Sequence, residues 1–244
     1  MWGPRVVLTR FVGVATVTIF GSGLVTALPL FFLAGDAREG REGALGGAVL
    51  TVETDVEAVE RRLGSGLLAC PWCSGVLAGW GRARARQVRG VDGSVLVVPR
   101  RSRCTACGAT HVLLPVLLLV RRADTAAVIG KGLAAKAAGG GHRVIAAVLG
   151  RPPETVRGWL RRFAGRVEPV RAVFTWWCRA LAPDPVLPGP AGSEWADAVA
   201  VITAAAGAVA ARFGLGTVAC WEAASAVSSG RLLAPGWPSA ALLG

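Results

Sequence analysis

Cys70-Pro71-Trp72-Cys73 and Cys104-Thr105-Ala106-Cys107-Gly108 are the stretches that decide how this chain folds. Two residues between the cysteines of each pair let a tight turn aim both sulfurs at one point. Two such turns complete a tetrahedral set of four thiolates, the geometry that zinc prefers. The spacing therefore predicts one structural Zn²⁺ held by Cys70, Cys73, Cys104 and Cys107. Thirty residues lie between Cys73 and Cys104, more than the usual gap of about 15–20, which calls for an extended hairpin. Asp92-Gly93 supplies its turn and the β-branched run Val95 to Val98 its return strand. The competing readings are a redox disulfide pair and buried free thiols. A thioredoxin-like site places one such pair at a strand–helix turn, not two around a hairpin. His111, four residues past Cys107, is expected at a cap or on the surface rather than as a substitute ligand. Cys178 and Cys220 stand alone and read as core thiols.

The charge is concentrated around these cysteines. From Cys70 to Arg122 there are nine arginines against Asp92 alone, a net of +8; from Ala123 to Arg171 the net is +6. The segments on either side each carry −1, within a chain of 244 residues and net charge +12. A solvated basic face is the bland explanation; a block this one-sided fits a polyanion better. Arg82, Arg84 and Arg86 alternate with Ala83, Ala85 and Gln87, and period two predicts all three on one face of a strand. Arg100, Arg101 and Arg103 lie on the returning strand, so the hairpin is expected to form a basic ribbon.

Helical periodicity follows. Thr51 to Leu63 reads as an amphipathic helix through Val52, Val56, Val59 and Leu63. Arg121 to Ala138 reads as a helix, with Ile129 and Leu133 inward, ended by Gly139-Gly140-Gly141. His142 to Leu149 is a second, and after the turn Gly150-Arg151-Pro152-Pro153 comes a third, Glu154 to Phe163. Val156, Trp159, Leu160 and Phe163 form the core stripe of that third helix; Arg157, Arg161 and Arg162 lie away from it. A short helix, a glycine-containing turn and a basic helix make the helix-turn-helix pattern; a generic three-helix bundle is the alternative. Ala182-Pro-Asp-Pro-Val-Leu-Pro-Gly-Pro190 reads as a linker. Two Ala-rich helices, Glu194 to Arg212 and Gly216 to Ser228, follow it. The uncharged stretch between Asp197 and Arg212 is short for a membrane span.

Phe11 to Gly35 holds 25 residues without a charge, long enough for a bilayer-spanning helix of about 20 residues. Gly21-Ser22-Gly23 and Pro29 weaken that reading. A signal peptide is a second reading and a start site at Val49 or Val52 a third. The expected division is an apolar segment over 1–48, the amphipathic helix over 49–69, a zinc ribbon over 70–114, a helix-turn-helix over 115–182, and linker plus C-terminal helices over 183–244. The fold class expected is mainly α with a small β zinc ribbon: a hairpin, a three-helix bundle and a C-terminal helical pair.

Four stretches carry a resemblance: Cys70-Pro-Trp-Cys73; Arg100-Arg-Ser-Arg-Cys-Thr-Ala-Cys-Gly-Ala-Thr-His111; Gly141-His-Arg-Val-Ile-Ala-Ala-Val-Leu-Gly150; and Thr155-Val-Arg-Gly-Trp-Leu-Arg-Arg-Phe163. In them the chain resembles the actinobacterial zinc-ribbon/helix-turn-helix proteins, a family of undefined function that is itself similar to the N-terminal DNA-binding region of insertion-sequence transposases. The resemblance implies a metal-stabilised DNA binder related to mobile elements. It departs from the pattern at Pro152, which stands where a Ser or Thr cap is usual and has no side-chain acceptor for the helix's first amides.

The sequence thus points to a binder of double-stranded DNA, a regulator or transposition accessory in the cytoplasm or nucleoid. Arg157 and Arg161 are the candidates for base edges, Thr155 and Arg151 for positioning the backbone. Arg82, Arg84, Arg86, Arg101, Arg103 and Arg162 are the further candidate contacts. No enzymatic activity is expected. After the third helix the acids are Glu168, Asp184, Glu194, Asp197 and Glu222, with no strand-rich segment to gather them into a two-metal site. Ser193, Ser225 and Ser228 have no histidine downstream. The alternatives are a membrane-anchored protein, associated through 11–35, with a basic module for anionic lipid or a partner, and an RNA-binding module in which Trp72 and Trp80 stack bases. A homodimer is also open.

Overall fold

A computed structural model describes residues 15–19, 26–30, 48–214 and 217–239. In chain order the strands are β1 (Ala15–Ile19), β2 (Thr26–Leu30), β3 (Ala48–Val52), β4 (Leu77–Arg82), β5 (Arg86–Arg89), β6 (Ser94–Val97), β7 (Arg100–Cys104) and β8 (Thr110–Pro115). The helices are α1 (Val56–Gly64), α2 (Ala126–Ala137), α3 (His142–Leu149), α4 (Pro153–Ala164), α5 (Val167–Leu181), α6 (Glu194–Phe213) and α7 (Cys220–Val227).

A four-stranded mixed sheet, ordered β3-β8-β7-β4, anchors the first half. β4 and β8 both run antiparallel to β7, and β3 pairs parallel to β8 with Leu50 opposite Leu113. Alternation along β7 buries Ser102 and Cys104 and leaves Arg103 outside. α1 buries Val59 and Leu63 in a cluster with Val52, Leu68, Leu77, Leu113, Cys70 and Cys104. Two of the cysteines are thus part of an apolar core. The hairpin tip is a separate pair, β5 with β6, closed by Asp92-Gly93, with the Gly90 N–H donating to the Gly93 carbonyl at 2.6 Å. Val88 and Val97 of that pair pack with Leu114 and Leu118.

Helices α2 to α7 share one core. α4 buries Val156, Trp159, Leu160 and Phe163, each apolar side chain contributing about 1.5–3 kcal/mol. α5 lays its own stripe, Val170, Val173, Phe174, Trp177 and Leu181, into the same cluster, and α6 adds Val201, Ile202 and Val209. Trp195 of α6 donates to the Leu133 carbonyl at 3.0 Å and meets Phe163 ring to ring at 4.8 Å. α6 is the one helix among the described residues long and apolar enough to cross a membrane. Here it packs against α5 and buries Ala198, Ala205 and Ala206.

The expected fold, mainly α with a small ribbon, is corrected by this arrangement. Among the described residues, seven helices accompany a mixed four-stranded sheet and two-stranded ones, with 44% helix and 18% strand. The reasons are local. Asp55 caps α1, accepting from the Glu57 N–H at 2.9 Å, so the helix starts at Val56. The apolar, β-branched run Ala48–Val52 before it becomes a strand, not the helix's first turn. Thr125 likewise caps α2 at Ala126, five residues past the expected start. Helix α5, which periodicity alone permits, was not expected. Nor do α6 and α7 stand apart beyond the Pro-rich segment, since they complete the same core. The membrane-span, signal-peptide and start-site readings fall mostly outside the described residues. Within 11–35 the structure describes β1 and β2, paired antiparallel.

Ribbon and helices meet at Asp124, which is 2% exposed. Its carboxylate accepts from Arg89 of β5 at 2.6 Å and from Arg151, in the α3–α4 turn, at 2.6 Å. The backbone adds to the tie: the Arg89 N–H donates to Ala123 at 2.8 Å, and the Thr125 N–H donates to Arg89 at 3.0 Å. Arg151 also donates to the carbonyls of Gly90 and Leu149, both at 3.0 Å. Removing the carboxylate leaves Arg151, only 15% exposed at its side chain, without its counter-charge, a change that typically costs about 3–5 kcal/mol. Asp124→Ala is therefore expected to lower unfolding free energy by about 3 kcal/mol, measured by urea denaturation of the full chain.

Candidate metal centre and basic surface

The two cysteine turns are built alike. The Cys70 N–H donates to the Gly75 carbonyl at 2.7 Å, and the Cys104 N–H to the Ala109 carbonyl at 2.8 Å. The residue after each second cysteine has positive φ, Ser74 at 58° and Gly108 at 72°. The N–H of each turns back to the first cysteine's carbonyl, at 2.9 and 3.0 Å. One turn uses the residue type suited to that conformation; the other holds a serine in it. The result is convergence: Cys70 Sγ lies 3.8 Å from Cys107 Sγ, Cys73 Sγ lies 3.4 Å from Cys104 Sγ, and all four sulfurs fall within 4.8 Å of one another. A tetrahedral site with metal–sulfur bonds near 2.3 Å places its sulfurs about 3.8 Å apart. The group could hold a metal ion.

The surroundings differ across the site. Cys70 and Cys104 are buried, Cys73 and Cys107 exposed. Burial pushes the Cys70 thiol up to about 12. Burial also opposes the Cys104 thiolate, but the backbone N–H groups of Cys107 and Ala106 and hydrogen bonds from the Cys73 and Cys107 thiols together bring that thiol down to about 7. His111, expected at a cap or on the surface, is fully buried on β8, its Nε2 3.4 Å from Cys70 Sγ. Trp72 meets its ring edge-on at 5.0 Å. Histidine here supports a cysteine from behind, which the sequence spacing alone did not separate from a cap.

The expected arginine row is broken. Arg82 ends β4, exposed Arg84 lies in the link, and half-buried Arg86 opens β5. Pro99, between β6 and β7, has no N–H to continue a ladder, and here Ala83 instead donates to the Pro99 carbonyl at 2.7 Å. The three side chains therefore do not share one strand face. Burial lowers the Arg86 guanidinium's pKa. Glu60 of α1, missed in the sequence, lies 2.8 Å from Arg100 and 3.9 Å from Arg82. Arg101 is half-buried; Arg103 is exposed and donates to the Gly108 carbonyl at 3.2 Å.

On the helical side, Arg151 is engaged by Asp124 rather than facing outward. Asp124 was legible only as the one acid between Asp92 and Glu154. Pro152 takes the N-cap of α4 with no side-chain bond. Thr155 is half-buried in the first turn; Arg157 and Arg161 are exposed, and Arg157 lies 3.6 Å from Glu154. Arg162 donates to the Gly158 carbonyl at 2.9 Å. Burial first, then the nearby charge of Arg162, lowers the guanidinium pKa of both Arg122 and Arg166.

A Cβ at Gly75 would stand 2.7 Å from Ala106 Cβ and 3.0 Å from Cys104 Sγ. Gly75→Ala is expected to part the two turns and destabilise the ribbon by about 1–3 kcal/mol. Accelerated amide exchange confined to β4, β7 and β8 would register it. Compared with known proteins, the chain matches no family model, no curated protein and no solved structure.

Proposed function

We propose that this chain is a zinc-stabilised binder of double-stranded DNA, related to the DNA-binding regions of insertion-sequence transposases and acting by binding rather than cleavage. The observation that carries the reading is α4. Its apolar stripe is fully spent on the core, and Arg157 and Arg161 stand exposed on the other side. A helix presenting guanidinium groups in this way suits a major groove, where arginine pairs with guanine edges in two-point contacts. Exposed Arg84 and Arg103 on the ribbon suit phosphates, which position a protein without reading sequence. The Asp124 tie supports the reading because it fixes the ribbon tip against the α3–α4 turn. Both basic surfaces then act as one body.

Four thiolates at tetrahedral spacing favour zinc over harder cations such as magnesium. When bound, the ion would supply structural charge: its field favours the thiolate form of Cys70 that burial opposes. Cys70, Cys73, Cys104 and Cys107 would hold it, with His111 orienting Cys70 from the core side.

Purified protein is expected to carry about one zinc per chain by elemental analysis. Arg157→Ala is expected to weaken a selected duplex site by about 1–3 kcal/mol. Arg84→Ala should lower affinity across all duplex sequences and flatten the salt dependence. Wild-type binding by both variants would end this reading. Glu60→Gln, which frees Arg82 and Arg100 from an intramolecular competitor, is expected to strengthen duplex binding and steepen its salt dependence, read by fluorescence anisotropy across a potassium chloride series.

A further inference from the structure

Trp80 is a large apolar side chain that the fold does not use. It belongs to none of the three buried apolar clusters and is 53% exposed. It sits on β4, the edge of the sheet, at an irregularity where the pairing with β7 shifts between Gly79 and Gly81. Such a bulge re-aims the side chain it carries. Its neighbours Gly79 and Gly81 have no side chains, and Ala78 has only a methyl. Gly81, at φ +113°, is in a conformation that other residues adopt only under strain. The Arg103 guanidinium lies over the indole, 4.8 Å from the ring centroid. Arg101 shares the outward register of Arg103 on β7, and Arg84 is exposed just past the end of β4.

From this arrangement we infer that the Gly79-Trp80-Gly81 bulge and Arg103 form a stacking seat for an unpaired nucleobase, making the ribbon a binding site for single-stranded nucleic acid. The chemistry favours this occupant over a protein side chain or a lipid. A base is planar and stacks on an indole or a guanidinium plane, and its own phosphates lie within reach of arginines flanking the ring. Bases inside a duplex are already stacked and offer no free face. The seat is thus distinct from the groove-reading helix α4, while Arg84 and Arg103, assigned above to duplex phosphates, flank the seat as well; Trp80 is the part that belongs to the seat alone. It also gives a role to a tryptophan whose exposure costs the fold hydrophobic burial.

The test uses the full, metal-loaded chain and fluorescein-labelled oligo-dT and oligo-rU of about 15 nucleotides, with a mixed-sequence duplex of equal length as the reference. Wild type is expected to bind the single strands. Trp80→Ala and Trp80→Leu should each weaken that binding about tenfold, with duplex affinity changed by less than about twofold. Trp80→Phe, which keeps an aromatic face, should retain most of it. Preference for oligo-dT or oligo-rU would assign the source as DNA or RNA. No single-strand binding by wild type, undiminished binding by Trp80→Leu, or equal losses on single strand and duplex would each overturn the inference. Binding by Trp80→Leu at the level of Trp80→Phe would show that bulk, not an aromatic face, holds the strand and would likewise overturn the inference. Arg157→Ala should leave oligo-dT binding intact, which separates failure of this seat from failure of the duplex reading.

Discussion

A single buried carboxylate holds the two halves of this protein in register. Asp124 accepts one guanidinium from the hairpin and another from the turn between α3 and α4. Arg151 also reaches the hairpin at the Gly90 carbonyl; the acid is the anchor that both guanidinium groups share. Placed in a chain with 27 basic residues against 15 acidic ones, such an acid is scarce and its position consequential. It offsets two like charges that would otherwise repel across a partly dry interface. It also fixes where the tip of the hairpin stands relative to the turn that leads into α4.

The same logic runs through the basic block as a whole. Some of its arginines are committed internally: Arg62 to Glu53 at 2.8 Å, Arg100 to Glu60, Arg122 and Arg166 to carbonyls of Leu233, Ala234 and Trp237. Others, at positions 84, 157 and 161, face outward. Net charge by segment does not separate these groups. Burial of the guanidinium and the presence of an acid on a neighbouring element do, and both are properties of the folded chain.

That distinction marks what was legible in the sequence. The cysteine spacing gave the cluster, because two residues between ligands leave a turn few ways to aim its sulfurs. The turn at Asp92-Gly93 and the stripe of α4 were legible for the same reason: short-range geometry dictates them. The parallel pairing of β3 with β8 was not, since their contact crosses the whole ribbon and no local period encodes it. Arg151 looked like a surface cation because its sequence neighbours are prolines and glycine; its acid partner is 27 residues away. His111 looked peripheral because only the sheet register brings it behind Cys70.

The last part of the described chain reaches back to the ribbon's exit. Ser225 donates to the Leu118 carbonyl at 2.7 Å, and the Val120 N–H donates to Gly230 at 2.8 Å. Leu118 precedes its partner Ser225 by 107 residues, and Val120 stands about as far ahead of Gly230. On the ribosome, the Leu118 carbonyl and the Val120 N–H must therefore stay hydrated until Ser225 of α7 and Gly230 emerge. Nascent chains that already hold a finished cysteine cluster still present an open seam, a window in which a chaperone or a protease meets the molecule before its own C-terminal portion does.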